Sequence, residues 1–522
     1  MPKQTLRIQS VLGGISPSQY FAGEGQYSSG IGIDPDFPIT SSDTRTSGAI
    51  VPSVYEKFSA SEVNSHPVAI IRTPKSSTVY VVLANGKLIS YSSSLGSETL
   101  IGTVTGSVAN GAFYYNNYIY ITTGTDVSRY GPLDGAASIT NTYWTSSLSL
   151  TALTNTTYPN VNPTLSIAIP NHWGCIHADG AAYFLDFKNG QGMVHKLKTT
   201  KTTAEGDTNN GSAYNVLDLP FGFYPTAICS YSTDIAILAI RTTDSTVNQG
   251  NAALFLWDTT NTDTFYKGPI YLPDPLATAM AYINGSLFIW SGNAQNGFRV
   301  SQYIGGDSVS DIAYFEEGQP PLAGAVDALG NRIVWGSNTA YPETSASVYA
   351  YGSKNARLPK GSIHNIVRTS STGTTPSATA LGFVQQNSNI TPRVVVGWRD
   401  GSGSGIDRLS TTATYASVWR SQVFNIGRKF KVTRIRLGFG ATTASGMTLT
   451  PKLFFDDGSS SSTLAAISSS SYPSSRKAIY KEPELNAIGG ENNFFLELRW
   501  TGTVALPVLL PIEIEIDTYG DE

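Results

Sequence analysis

The chain has 522 residues, a formal net charge of -4 at pH 7 and 14% charged residues, with 50 Gly, 27 Pro and two Cys. Its length exceeds one ordinary core, so several domains or one large repetitive architecture are expected, and a polarity drawn from Ser, Thr, Asn and Gln favours strands over helices. The charge balance leaves no basic surface for phosphates, no apolar run is long enough to cross a membrane, and two cysteines make neither a disulfide scaffold nor a cysteine-built zinc site; sequence-specific nucleic acid binding and membrane insertion are therefore not expected.

Residues 1–61 show neither a period of 2 nor one of 3.6. The stretch SPSQYFAGEGQYSSGIGIDPDFPIT sets isolated aromatics among Gly, Ser and Pro. It reads as an extended N-terminal arm: either a disordered leader or a strand that closes the repeats, or an arm whose Tyr20, Phe21, Tyr27 and Phe37 bind pockets on a neighbouring subunit. The two prolines of DPDFP make that segment a stiff turn before they make it a metal ligand. MPKQTLRIQSVLGG lacks an apolar stretch of secretory length, so no signal peptide is read from it.

Residues 62–410 repeat one phrase in seven versions: a small residue in a short strand, a turn, a strand rich in Val, Ile, Tyr, Phe or Trp, then another strand. VANGAFYYNNYIYITTGTDVSRYG is one version, turning on Asn116 and Asn117. The small anchors Ala69, Ala112, Gly174, Ala227, Ala279, Gly324 and Ala380 recur 43 to 62 residues apart. That spacing predicts a β-propeller of about seven blades, in which the small residues crowd round a hub and the aromatic strands fill the gaps between blades.

After GSGSGIDRLSTTATYAS, read as a spacer, residues 411–522 alternate apolar with polar residues and predict a C-terminal β-sandwich or jelly-roll. Val432, Ile435, Leu437 and Phe439 form its inward face, with Arg434 and Arg436 opposite. DDGSSSSTLAAISSSSYPSSRK reads as a long loop. The whole is an all-β chain.

No constellation for chemistry emerges. His172, Cys175 and His177 in HWGCIHADG do not share one strand face, so they are read as structural rather than as metal ligands. Cys175 and Cys229 occupy corresponding first strands and are expected to pack as small apolar residues. A propeller glycosidase would need paired carboxylates at its channel. Asp126, Asp179, Asp234 and Asp327 fall at differing places in the repeat and are given turn-forming roles. Phosphate-loop, HExxH and GxSxG patterns are absent from the sequence. No enzymatic activity, catalytic residue, cofactor or metal is expected.

LRIQSVLGGISPSQYFAGEGQYSSGIGIDPDFP, the tyrosine-rich β body, RSQVFNIGRKFKVTRIRLGF and NNFFLELRWTG together resemble virion structural proteins of tailed bacteriophages, and within them the propeller-bearing tail nozzle proteins. The resemblance implies a non-enzymatic ring of copies round the tail axis, assembled in the host cytoplasm, whose partners are other copies and neighbouring virion proteins. The alternative is a receptor- or glycan-binding adhesin, for which Tyr143 and Trp144 in NTYWTSS offer stacking surfaces if exposed.

Overall fold

A computed structural model describes residues 3–16, 20, 23, 25–35, 49–58, 62–74, 78–91, 97–123, 126–144, 173–188, 190–198, 213–243, 246–247, 251–260, 267–293, 297–316, 318–337, 346–352, 362–371, 373, 376–384, 393–401, 403–410, 415–481, 485, 489–504 and 506–519. Apart from the short 3-10 turns Ala323–Ala325 and Asp456–Gly458, the elements among these residues are strands. Two compact units result, one of residues 57–339 and 370–408, the other of residues 1–56, 340–369 and 409–522. The division expected from sequence, at residues 61 and 410, is therefore not the observed one: the first and last parts of the chain belong to a single unit.

The larger unit is built from antiparallel sheets in chain order. Pro67–Ile71, Val79–Leu83, Lys87–Tyr91 and Glu98–Thr103 form the first, and Gly111–Tyr115, Tyr118–Thr122, Val127–Gly131 and Ser138–Trp144 the second. The third holds Gly174–Ile176, Ala182–Lys188, Gln191–Leu197 and Ala213–Asp218. Phe223–Tyr231, Asp234–Thr243, Ala253–Trp257 and Lys267–Tyr271 make the fourth, and Leu276–Ile283, Ser286–Asn293, Gly297–Gly305 and Ser308–Phe315 the fifth. The hairpin Val326–Leu329 with Arg332–Ser337 follows, then Pro376–Val384, Arg393–Asp400 and Gly403–Ser410.

Turn chemistry sets the registers. Asn116 and Asn117 take φ of 44° and 71°, so Tyr115 pairs with Tyr118 across a two-residue turn that suits asparagine. Second strands such as Val79–Leu83 are buried throughout because both sheet faces are covered, whereas the outer strand Ser308–Phe315 is largely exposed or half-buried.

The first strands lie against one another in sequence order, and the last, Pro376–Val384, lies against the first, Pro67–Ile71. Ile70, Val81, Ala380, Val395 and Ile406 share one apolar cluster. The small anchors are required by this crowding: a Cβ on Gly174 would sit 2.6 Å from the Phe113 ring, and one on Gly324 2.3 Å from the Val68 carbonyl oxygen. A register shift recurs just before the anchor in four sheets, between Pro67 and Ala69, Pro225 and Ala227, Ala277 and Ala279, and Ala378 and Ala380. Such repeated bulges bend equivalent strands in the same place.

In the smaller unit, one sheet runs Lys3–Ile8, Val508–Thr518, Phe430–Phe439, Lys477–Lys481. A second runs Ser460–Thr463, Met447–Phe455, Asn493–Gly502, Tyr415–Arg420, Ser29–Ile31. Val432, Ile435, Leu437 and Phe439 are buried, and a bulge between Val432 and Arg434 absorbs the odd spacing of the first two. Phe430 of the first sheet packs against Phe494 and Phe455 of the second, with centroids 5.3 and 6.1 Å away.

Three sequence expectations change. The N-terminal segment is no separate arm: Lys3–Ile8 pairs with Val508–Thr518 along six residues, Ser29–Ile31 with Val418–Arg420, and Ala49–Ile50 with Val508–Leu509. GSGSG is no spacer but part of a hairpin, in which Gly405 opposes Trp398 and its missing Cβ would lie 2.3 Å from the indole. The serine-rich loop contributes Ser460–Thr463 and Ile467–Ser468, both paired with Met447–Phe455. Serine runs carry no hydrophobic period, which hid these short strands from a pattern reading.

Candidate interaction site

Of the four arm aromatics, Phe21 and Phe37 lie outside the described residues. Tyr20 is 48% exposed, and its hydroxyl donates to Asp457 Oδ1 at 2.6 Å. Asp457 also accepts from Asn493 Nδ2, while neighbouring Asp456 accepts from the N–H groups of Glu491 and Asn492. Tyr27 is 1% exposed and packs against Trp419 and His364. Burial, then the nearby Tyr349 and Asp34, raises its phenol far above the ordinary value, so it remains a donor. It bonds His364 Nδ1 at 2.9 Å, and the other ring nitrogen meets Ser362 Oγ at 3.2 Å. Tyr27 thus belongs to the core of its own chain, and Tyr20 is tied to it from the surface.

Lys3–Ile8 gives this unit a charged sheet face. Lys3, Thr5 and Arg7 stand opposite Asp517, Glu515 and Glu513, whose other neighbours are Lys431, Arg434 and Arg436. Glu513 lies 3.3 Å from Arg7 and 3.4 Å from Arg436, and Glu515 2.8 Å from Arg434. Exposed pairs of this kind contribute roughly 0–1 kcal/mol each, so the ladder sets register and charge pattern more than stability. At the end of the strand a cleft of about 330 Å³ is lined by Arg7, Ile8, Gln9, Gln26, Trp419 and Gln422 among others. Its polar lining is guanidinium, carboxamide and hydroxyl rather than carboxylate.

In the larger unit the candidate carboxylates are used locally. Asp126 takes the Thr123 hydroxyl at 3.1 Å, and burial raises its pKa. Asp179 is held low, at about 2, because bonds from Lys196, the Ala181 N–H and the Tyr183 hydroxyl outweigh its partial burial. Asp327 accepts from the N–H groups of Ala328 and Phe383, each at 2.8 Å. Asp234 bonds the Thr233 hydroxyl at 3.3 Å. Among the described residues no group of three or more His, Cys, Asp or Glu converges on a metal position.

His172 lies outside the described residues, and His177 bonds Ser230 Oγ at 3.2 Å with its ring edge-on to Tyr183. Cys175 and Cys229 are free thiols on the first strands of the third and fourth sheets, packed against apolar clusters. Burial pushes the Cys229 thiol up to about 12. Tyr143 and Trp144 are 7% and 1% exposed, so they offer no stacking surface; they close the second sheet's core against Phe184. Exposed aromatics among the described residues of this unit are instead Phe221, Tyr271 and Tyr314.

Sequence reasoning missed two polar clusters. Arg299 bridges Asp274 at 2.7 Å and Asp311 at 2.6 Å, and Asp407 accepts from the Ser370 N–H at 2.5 Å and its hydroxyl at 2.8 Å. Their members come from separate strands and from loops between strands, so no local spacing announces them.

No family model and no curated protein matches the chain. Solved structures to which it is similar include virginiamycin B lyase from Staphylococcus aureus, at 12% identity over 68% of this chain and 98% of that one, with a TM-score of 0.43. Another is the β-propeller domain of Cps50 (Swd1) from Myceliophteria thermophila, at 11% identity over 66% and 97%, with a TM-score of 0.39. The computationally designed Ika8 protein matches at 13% identity over 66% and 96%, with a TM-score of 0.36. Likenesses this distant assign neither activity nor ligand.

Proposed function

We propose that the chain is a non-enzymatic structural component of a tailed-phage virion, a tail protein of nozzle or hub type that assembles with other copies round the tail axis. In this reading residues 57–339 and 370–408 are a propeller of about seven blades, and the sheets joining the two ends of the chain form a β-sandwich. The observation that carries the non-enzymatic part is the local use of buried polar groups: Asp186 with His195, Asp274 with Arg299, and Asp407 with Ser370 bond strands or loops of the same unit to one another. Groups so engaged serve as fasteners rather than as acids or bases awaiting a substrate. The virion part is supported by the sequence resemblance. Immunogold electron microscopy of purified particles, with antibody raised against the chain, tests it: label at the tail is the expected outcome, and absence of the chain from particles would remove the proposal.

A second reading, a virion adhesin for host glycans, draws on the exposed Phe221, Tyr271 and Tyr314. Sugar rings stack on such faces. A glycan array with intact host cells alongside separates the two readings, since binding is expected of the adhesin and not of a purely structural ring.

A further inference from the structure

Lys3–Ile8 is the end strand of its sheet. Among the described residues its strand partner is Val508–Thr518 on one side, and no described strand pairs with the other. Lys3, Gln4, Thr5 and Arg7 are exposed, and Leu6 and Ile8 half-buried. An open edge of this kind presents a row of backbone N–H and C=O groups to any extended segment.

The side chains restrict what can add. Lys3, Thr5 and Arg7 lie on the face that carries Glu513, Glu515 and Asp517, while Leu6 and Ile8 continue the buried face of Ile512, Ile514 and Ile516. An incoming strand therefore meets cations on one face and aliphatic groups on the other. Two such edges pairing antiparallel about Thr5, the register that matches like faces, would set Lys3 against Arg7, which disfavours a second copy of the same strand. The chain's own Ile512–Asp517, with the sequence IEIEID, already satisfies this pattern on the inner side. The cleft beside Ile8 and Gln9 leaves room for an added segment to run on past residue 8.

We propose that the free edge of Lys3–Ile8 is a docking strand, which takes by backbone pairing an extended segment of a partner protein that alternates acidic and aliphatic side chains. The inference stands independently of the virion reading.

A fluorescent peptide LPIEIEIDT, copied from residues 510–518, is titrated into the full chain and followed by anisotropy. The expected result is saturable binding, weakened about tenfold or more by the exposed double variant Lys3→Glu, Arg7→Glu and by high salt, and lost when alternate peptide nitrogens are methylated. Hydrogen exchange should show new protection within residues 3–8 with protection of residues 430–439 unchanged. Absence of saturable binding, equal binding of the charge-reversed LPIKIKIKT, indifference to methylation, or loss of protection at residues 508–518, which would mean that the peptide displaces the native strand, would each overturn the proposal.

Discussion

His195 Nε2 lies 3.0 Å from Asp186 Oδ2 inside the third sheet, while its Nδ1 accepts the Asn215 N–H at 2.8 Å. Since Nδ1 is an acceptor, the ring proton sits on Nε2 and is donated to the carboxylate. The other Asp186 oxygen accepts the Phe187 N–H at 2.7 Å. Asp186→Asn must turn its NH2 toward one of these donors and His195→Ala removes the donor to Oδ2 of a buried carboxylate, and each is expected to cost about 1–3 kcal/mol. Urea unfolding measures both. Losses below about 0.5 kcal/mol for the two variants would show that the pair is not a fastener.

Tyr27→Phe deletes the hydroxyl that bonds His364 Nδ1. A stability loss of about 1–3 kcal/mol is expected, identical at low and high protein concentration, because the contact lies within one chain. A loss that grows on dilution would restore the neighbour-binding role expected from sequence.

Asp407 and His66 oppose one another with pH. Burial raises the Asp407 carboxyl from 3.8 to about 6, against the bonds from Ser370. Its neutral form thus adds stability that is fully present below about pH 3.8 and is lost as pH rises through 6. Burial, then the charge of Arg399, lowers His66 from 6.5 to about 4. Stability from its neutral ring is fully present above pH 6.5 and is lost as pH falls through 4. Asp407→Asn should therefore make stability climb more steeply between pH 4 and 6.5, shifting the wild-type-minus-variant difference by on the order of 3 kcal/mol across that window. His66→Asn should flatten the climb. Thermal unfolding in a pH series reads both, and curves parallel to wild type would refute the assignments.

A glycine packed against a first strand, such as Gly324 in the turn before Val326–Leu329, differs from one at an open hairpin turn. Gly324→Ala would drive a Cβ to 2.3 Å from the Val68 carbonyl oxygen and is expected to cost about 3 kcal/mol or more. Gly285→Ala, at φ 81° but with no atom within 4 Å of the added Cβ, should cost about 1 kcal/mol. Reversal of that order in chemical denaturation would contradict the packing described for the first strands.

Much of the larger unit was legible because its repeat has a local cause. Ala69, Ala112 and Ala380 are small for the same steric reason, and Asn116 and Asn117 mark their turn directly. Residues 3–8 and 508–518 were illegible as partners because pairing between distant segments leaves no mark on either one alone. Tyr27 of the N-terminal segment is an anchor, yet an anchor's sequence does not say whose pocket it fills. Tyr27 fills its own chain's. Tyr143 and Trp144 misled in the same way, since a short motif between polar residues reads as exposed until Phe184 is seen to cover it.

The account depends above all on the return of the last sheet to the first. A Cβ on Gly382 would lie 3.4 Å from Ile70 Cβ, near the separation that a disulfide requires. Ile70→Cys with Gly382→Cys, in a chain carrying Cys175→Ser and Cys229→Ser, tests this by mild oxidation followed by non-reducing electrophoresis. Rapid formation of a crosslink within the monomer is the predicted result; failure to crosslink, or crosslinking between chains alone, would contradict the packing of Pro376–Val384 on Pro67–Ile71.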